Sequence, residues 1–173
     1  PTGVRRPGPG RRGRRGGPQH PVDAVLRLRG LQDGPGGFQV SIPLRCPNDN
    51  NRLSHLPMAQ PADVLKTFAV SRLMLDNFPH VKVFWVMHGR STSQLALNYG
   101  ADDMDGSVVE YKITHDADGF GTPDKLTRDN LLELIRDAGF QPKERNTRYE
   151  ILREYEPPVP LAERRAEPQA VWA

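Results

Sequence analysis

Val81-Lys82-Val83-Phe84-Trp85-Val86-Met87 and, a short segment later, Gly100-Ala101-Asp102-Asp103-Met104-Asp105-Gly106-Ser107 decide the fold. The first run is apolar and rich in β-branched and aromatic residues, the composition of a buried strand. The second sets three carboxylates between two glycines. In an α/β chain, a Gly/Asp cluster at a strand end is where ligands are met. Gly and Asp are also turn formers, so a solvated turn is the competing reading. Three close carboxylates repel, and a site built on them needs a cation, hydrogen-bond donors or a shifted pKa. The spacing does not complete an Asp-x-Asn-x-Asp-Gly calcium loop.

Working outward, His88-Gly89-Arg90 reads as a turn. Ser91 and Gln94 have capping-box spacing for a helix over 92–99, which stops at Gly100. Before the strand, Pro61 and Asp63 mark the first turn of a helix over 61–77. Its apolar stripe is Val64, Leu65, Phe68, Ala69, Leu73 and Leu75. Further back, 45–60 is a long polar loop of the kind that usually carries function. Residues 38–44 alternate as a strand at Phe38, Val40 and Ile42 until Pro43. Residues 23–32 read as a short helix with Val25, Leu26, Leu28 and Leu31 apolar, stopped by Asp33-Gly34-Pro35-Gly36-Gly37. Downstream, Thr127 caps a helix over 128–138 with Gly139 beyond its end, and 141–152 holds a short strand. Strands alternating with helices predict a parallel sheet.

The chain has 173 residues, 36% hydrophobic and 26% charged, which fits one ordinary domain. No apolar run reaches the roughly 18 residues a bilayer span needs. No apolar segment follows the basic N-terminus as in a signal peptide, so a cytoplasmic setting and no membrane partner are expected. One cysteine, Cys46, excludes an internal disulfide framework. Residues 1–20 hold six arginines and no acid; without those arginines the net charge falls from +3 to −3. Sixteen of these 20 residues are Arg, Gly or Pro, a composition that cannot bury enough surface to order itself. Such a tail can meet phosphates, but nucleic acid is not the expected partner. The expected organisation is a tail over 1–22, a domain over 23–153 and a loose tail over 154–173.

Gly37-Phe38-Gln39-Val40-Ser41-Ile42-Pro43-Leu44, His55-Leu56-Pro57, the run Ala69-Val70-Ser71-Arg72-Leu73-Met74-Leu75-Asp76-Asn77-Phe78-Pro79-His80 and Trp85-Val86-Met87 resemble the menaquinone-pathway radical S-adenosylmethionine enzymes. The Gly100 to Ser107 segment, with Glu110, Lys112, Ile113 and His115, resembles the aminodeoxyfutalosine synthase branch. Leu126-Thr127-Arg128 and Glu144-Arg145-Asn146-Thr147-Arg148-Tyr149 suit that branch as well. The resemblance implies an α/β fold: the C-terminal portion of a (β/α) TIM-like radical SAM barrel, with the N-terminal strands missing. It implies S-adenosylmethionine and a [4Fe-4S] cluster as cofactors. The 5′-deoxyadenosyl radical would add to the enolpyruvyl group of 3-[(1-carboxyvinyl)oxy]benzoate, a small-molecule substrate, on the futalosine route. The cluster of that family is held by Cys-x3-Cys-x2-Cys, and one cysteine cannot supply three thiolates. The chain is therefore expected to be inactive alone, a fragment left by a frame error or a truncated gene, and to self-associate through an exposed barrel edge.

Under this resemblance the substrate is a dianion and needs cations and donors. Arg45, past a strand end, is the expected cation, with Asn50 a second substrate ligand. Asp102, Asp103 and Asp105 are expected to bind ribose hydroxyls or the amino group of S-adenosylmethionine, and Glu110 to bind substrate where it covers the barrel mouth. His88, directly after the 81–87 strand, and His115 are expected to be catalytic through proton transfer. No metal ligand set is expected. Two other readings stand beside this one: a sibling resembling dehypoxanthine futalosine cyclase, and a non-catalytic binding module whose basic tail recruits nucleic acid.

Overall fold

The structure is a computed structural model that describes residues 19–44, 59–107 and 126–160. Its elements run α1 (Gln19–Asp33), β1 (Val40–Ser41), α2 (Pro61–Met74), β2 (His80–Val83), α3 (Trp85–His88), α4 (Arg90–Leu97), β3 (Asp103–Met104), α5 (Arg128–Asp137), β4 (Lys143–Arg145) and β5 (Ile151–Glu154). The first three strands form one parallel sheet in chain order, β1-β2-β3. Val40 pairs with His80, Ser41 with Val81, Lys82 with Asp103 and Val83 with Met104. β4 and β5 form a separate antiparallel hairpin. The fold is thus mixed α/β with a parallel sheet, as the alternating pattern predicts.

The core lies between the sheet and its crossover helices. Val81 and Val83 of β2 pack against Val64 and Phe68 of α2 and Ala96 and Leu97 of α4. In a strand, successive side chains point to opposite faces, so His80 and Lys82 face away from these helices. A second cluster joins Val25 of α1 to Leu75 and Phe78 just past α2. The α1 helix starts at Gln19, four residues ahead of the start expected from the sequence, and ends at the expected glycine-rich stop, where Gly36 takes φ +64°. On α2, Pro61 and Asp63 occupy the first turn as expected. Leu73 does not join the apolar stripe; it is 80% exposed, because α2 ends at Met74 and Leu75, outside the helix, turns inward instead.

Two further expectations are corrected. The 81–87 run is not one strand: pairing ends at Val83, and Trp85–His88 form a single helical turn. Phe84 caps this turn, with Met87 N and His88 N donating to its carbonyl, and Gly89 ends it at φ +78°. Trp85 turns into a third cluster with Leu126 and Leu131, while its Nε1 donates to Gly106 O at 3.2 Å. Apolar β-formers prefer strands because strands bury them, and here a helical turn buries Trp85 equally well. Likewise the Ser91–Gln94 capping box does not form. Gly89 is the N-cap of α4, and Gln94 Nε2 reaches across to Leu134 O of α5 at 3.1 Å. The capping box at Thr127 does form, with Asn130 as its reciprocal partner. The strand expected over 38–44 contracts to Val40–Ser41, and the one expected within 141–152 is the β4–β5 hairpin.

Candidate functional site

The three carboxylates of the Gly100 to Ser107 segment all lie at β3, and each meets a cation. Gly100 makes the entry possible. Its φ is +101°, and a Cβ there would lie 2.6 Å from Arg72 Cβ. That close approach lets Arg72 Nε donate to Gly100 O at 2.7 Å and its guanidinium pair with Asp102. Asp102 also sits 2.7 Å from His80 Nδ1 and accepts from Val81 N at 2.7 Å. A carboxylate only accepts, so His80 carries its proton on Nδ1. The Asp102 amide in turn donates to Val81 O at 3.0 Å. This residue therefore stitches the start of β3 to the start of β2.

Asp103 is the most enclosed of the three, its side chain 9% exposed. Arg145 of β4 takes both carboxylate oxygens, with Nε to Oδ1 at 3.1 Å, and Tyr149 Oη donates to Oδ2 at 2.8 Å. Two-pronged charge-assisted contacts of this kind are stronger and more directional than neutral hydrogen bonds. The Asp103 hydrogen bond raises the pKa of Arg145 further above its ordinary value. Burial and the bond to Asp103 raise that of Tyr149. The Tyr149 ring stacks on His80 with centroids 3.9 Å apart, and the Arg145 guanidinium lies 4.1 Å above the same ring. Tyr149 adopts φ +63° to reach this position, a left-handed conformation that costs a non-glycine residue on the order of 1 kcal/mol. The Asn146 side chain, accepting from Arg148 N and Glu150 N, holds the turn in that shape.

Asp105 pairs with Lys82 on the face of the sheet away from α2 and α4. Burial pushes its carboxyl above the ordinary value, and the hydrogen bond from Lys82 pulls it back. Between β3 and the hairpin lies a cavity of about 560 Å³ bounded by these pairs on one side and by Leu131, Ile135 and Phe140 on the other.

Of the residues expected to form the site, the structure brings together Asp102, Asp103 and Asp105. It gives each an internal cation, so their charge is spent within the fold. His88 is buried on α3; its Nε2 donates to Pro43 O at 2.9 Å and its ring meets Phe68 edge-on. It anchors the segment leading from β1 toward Arg45. Arg45, Asn50, Glu110 and His115 lie outside the described residues. The partners that sequence reasoning missed are Arg72, His80, Lys82, Arg145 and Tyr149. One signal could have found Lys82 and His80: in His80-Val81-Lys82-Val83 the polar residues alternate with valines.

The donor set does not fit the iron–sulfur cluster of the resembled enzymes. The chain offers one thiol, Cys46, where three thiolates are required. Among the described residues no helix is long and apolar enough to cross a membrane.

Comparison with known proteins is consistent with this architecture. Residues 36–157 match the family model described as the CofH/MqnC C-terminal region. The chain is 68% identical to the aminodeoxyfutalosine synthase of Streptomyces coelicolor over 88% of its own length and 41% of that relative. It is 40% identical to the aminodeoxyfutalosine synthase of Thermus thermophilus over 76% of its length and 36% of the relative. Identity to the cyclic dehypoxanthine futalosine synthase of Streptomyces coelicolor is 33% over 83% of the chain and 36% of the relative. The chain thus spans about two fifths of the length of these curated relatives. Matched over most of its length, it belongs to the family of the CofH/MqnC C-terminal region.

Proposed function

We propose that this chain forms the closing part of a (β/α) barrel in an aminodeoxyfutalosine synthase-type radical S-adenosylmethionine enzyme of the futalosine route to menaquinone. The carrying observation is the 68% identity to the Streptomyces coelicolor synthase, about twice that to the cyclic dehypoxanthine futalosine synthase of the same organism. A parallel sheet wound in chain order, with α2 and α4 on one face, supports the barrel reading. In this reading the opposite face, bearing Lys82 and Asp105, lines the interior. The substrate is 3-[(1-carboxyvinyl)oxy]benzoate and the co-substrate S-adenosylmethionine.

This chain's contribution is scaffold and substrate contact. Its single thiol leaves the cluster to residues of another polypeptide segment, and no chemical step is assigned here to the cluster. Arg45 and Asn50 bind the dianionic substrate, with His88 setting the exit of β1 through Pro43. Glu110 and His115 cover the mouth. Asp102, Asp103 and Asp105 act through their ion pairs, holding β3 and the hairpin in place. The setting is cytoplasmic.

The test is a chimera in which residues 23–153 replace the matching stretch of the Streptomyces coelicolor synthase. Formation of aminodeoxyfutalosine from the enolpyruvyl benzoate, followed by mass spectrometry, is expected. A chimera that instead cyclises dehypoxanthine futalosine would move the chain to the sibling activity.

A further inference from the structure

We infer that α3, the single helical turn after β2, is a clamp that holds the exits of both neighbouring strands, with Trp85 and His88 as its positioning residues. The inference rests on the barrel reading above, in which the C-terminal ends of the strands face the reaction. β2 lies between β1 and β3, and all three run parallel, so they leave the sheet at one end. Ligands of barrels and open α/β sheets are met at that end. α3 begins at Trp85, two residues past the end of β2. Its two tethers land at matching positions. Trp85 Nε1 donates to the carbonyl of Gly106, two residues past the end of β3, at 3.2 Å. His88 Nε2 donates to the carbonyl of Pro43, two residues past the end of β1, at 2.9 Å.

Neither exit can fix itself. Pro43 has no N–H, so it cannot carry the ladder onward from Ser41. Gly106 has no side chain, and a Cβ there would meet nothing within 4 Å. The turn supplies what both lack, a donor on a buried ring. Trp85 packs with Leu126 and Leu131, and the His88 ring meets Phe68 edge-on. The turn itself is closed by Met87 N and His88 N donating to Phe84 O and by Gly89 N donating to Trp85 O. Both rings thus hang from one four-residue unit, and releasing either tether frees that unit to shift at the other. His88 acts in this arrangement as a donor to main chain, with no part in proton transfer.

The experiment reads backbone amide relaxation of the full chain at Ile42, Leu44, Gly106 and Ser107. In the unsubstituted chain all four should be as rigid as Val81, with order parameters of about 0.85. His88→Leu cuts only the tether to Pro43, yet should loosen Gly106 and Ser107 as well, toward about 0.6. Trp85→Phe cuts only the tether to Gly106, yet should loosen Ile42 and Leu44 to a similar degree. His88→Gln keeps a donor and should leave both exits rigid. Loosening confined to the exit that lost its tether, or none at all, would overturn the inference. Should a variant misfold, the unsubstituted chain decides, because exits below about 0.6 are not clamped. In the chimera described above, His88→Leu and Trp85→Phe should each lower kcat/KM about fivefold, as for one net hydrogen bond, and the pair of substitutions no further. His88→Gln should keep the parent's kcat, KM and pH profile. Losses that multiply would overturn the clamp, and an inactive His88→Gln chimera would make His88 a proton-transfer group instead. Coupled exits in a chain whose chimera makes no aminodeoxyfutalosine support the clamp and count against the reaction assigned above. An active chimera with independent exits does the reverse.

Discussion

The two faces of β2 do opposite work. Val81 and Val83 are fully buried against α2 and α4, in a cluster with no charged member. His80 and Lys82, one residue away in each case, face a polar surface, where His80 hydrogen-bonds Asp102 and Lys82 pairs with Asp105. The apolar face derives its stability from area removed from water, which is not directional. The charged face contributes little net energy for the charges it holds, since desolvation offsets attraction, but each pair fixes a particular geometry. Four residues of alternating sequence therefore separate the part of the molecule that makes it fold from the part that sets the shape of a cavity.

That contrast can be broken most forcefully at Phe68, which has no solvent exposure. Phe68→Ala should cost about 4 kcal/mol in urea unfolding, as expected for a buried aromatic truncated to a cavity. A loss below about 1 kcal/mol would mean that the helix-covered face is not the core. Next comes Gly100→Ala. The new methyl would meet Arg72 Cβ and also sit at φ +101°, so a loss of about 2–3 kcal/mol is expected from overpacking and strain together. A neutral outcome would show that Arg72 is not clamped against the Gly100 carbonyl. On the charged face, Asp103→Asn should cost about 2 kcal/mol, below the range for a fully buried pair because Arg145 keeps some contact with water. Amide exchange should locate the damage at the hairpin and leave α2 protected. Uniform loss of protection would erase the division between the faces.

The smallest effect is one of pH. Asp105 has its carboxyl raised above the ordinary value of 3.8, chiefly by burial. The folded state thus binds this proton more tightly than the unfolded state. Its contribution favours folding at low pH and is lost as pH climbs from about 3.8 through the raised value. Comparing Asp105→Asn with the unsubstituted chain from pH 3 to 7, on the order of the usual carboxylate range, should show a flatter stability profile for the variant in that window. An unchanged slope would mean that Asp105 is not held in a desolvated setting.

What could be read in advance was mostly local. Pro61 and Asp63 announce the start of α2, and Thr127 the start of α5, because capping groups act within one turn. The alternation of strands and helices gave the parallel sheet. The ion pairs were not legible: Arg72 is 30 residues from Asp102, and Arg145 is 42 from Asp103. A segment with three acids states a demand for cations but not their address. The same blindness explains Trp85, whose partners Leu126 and Leu131 lie well downstream, and Gln94, which leaves its capping role for Leu134.

The separation between Asp103 and Arg145 also has a meaning in time. Because β1, β2 and β3 are neighbours in the order in which they are made, each strand can dock on its predecessor as it emerges from the ribosome. The clasp on Asp103 must wait 42 residues more. At ordinary rates of synthesis that is an interval of roughly 2–8 s. During it, an unclasped carboxylate stands at the newest edge of the nascent sheet. An inward-pointing charge at a sheet edge repels stray strands. The residue that later fastens the hairpin thus carries its charge without that clasp until Arg145 has been made.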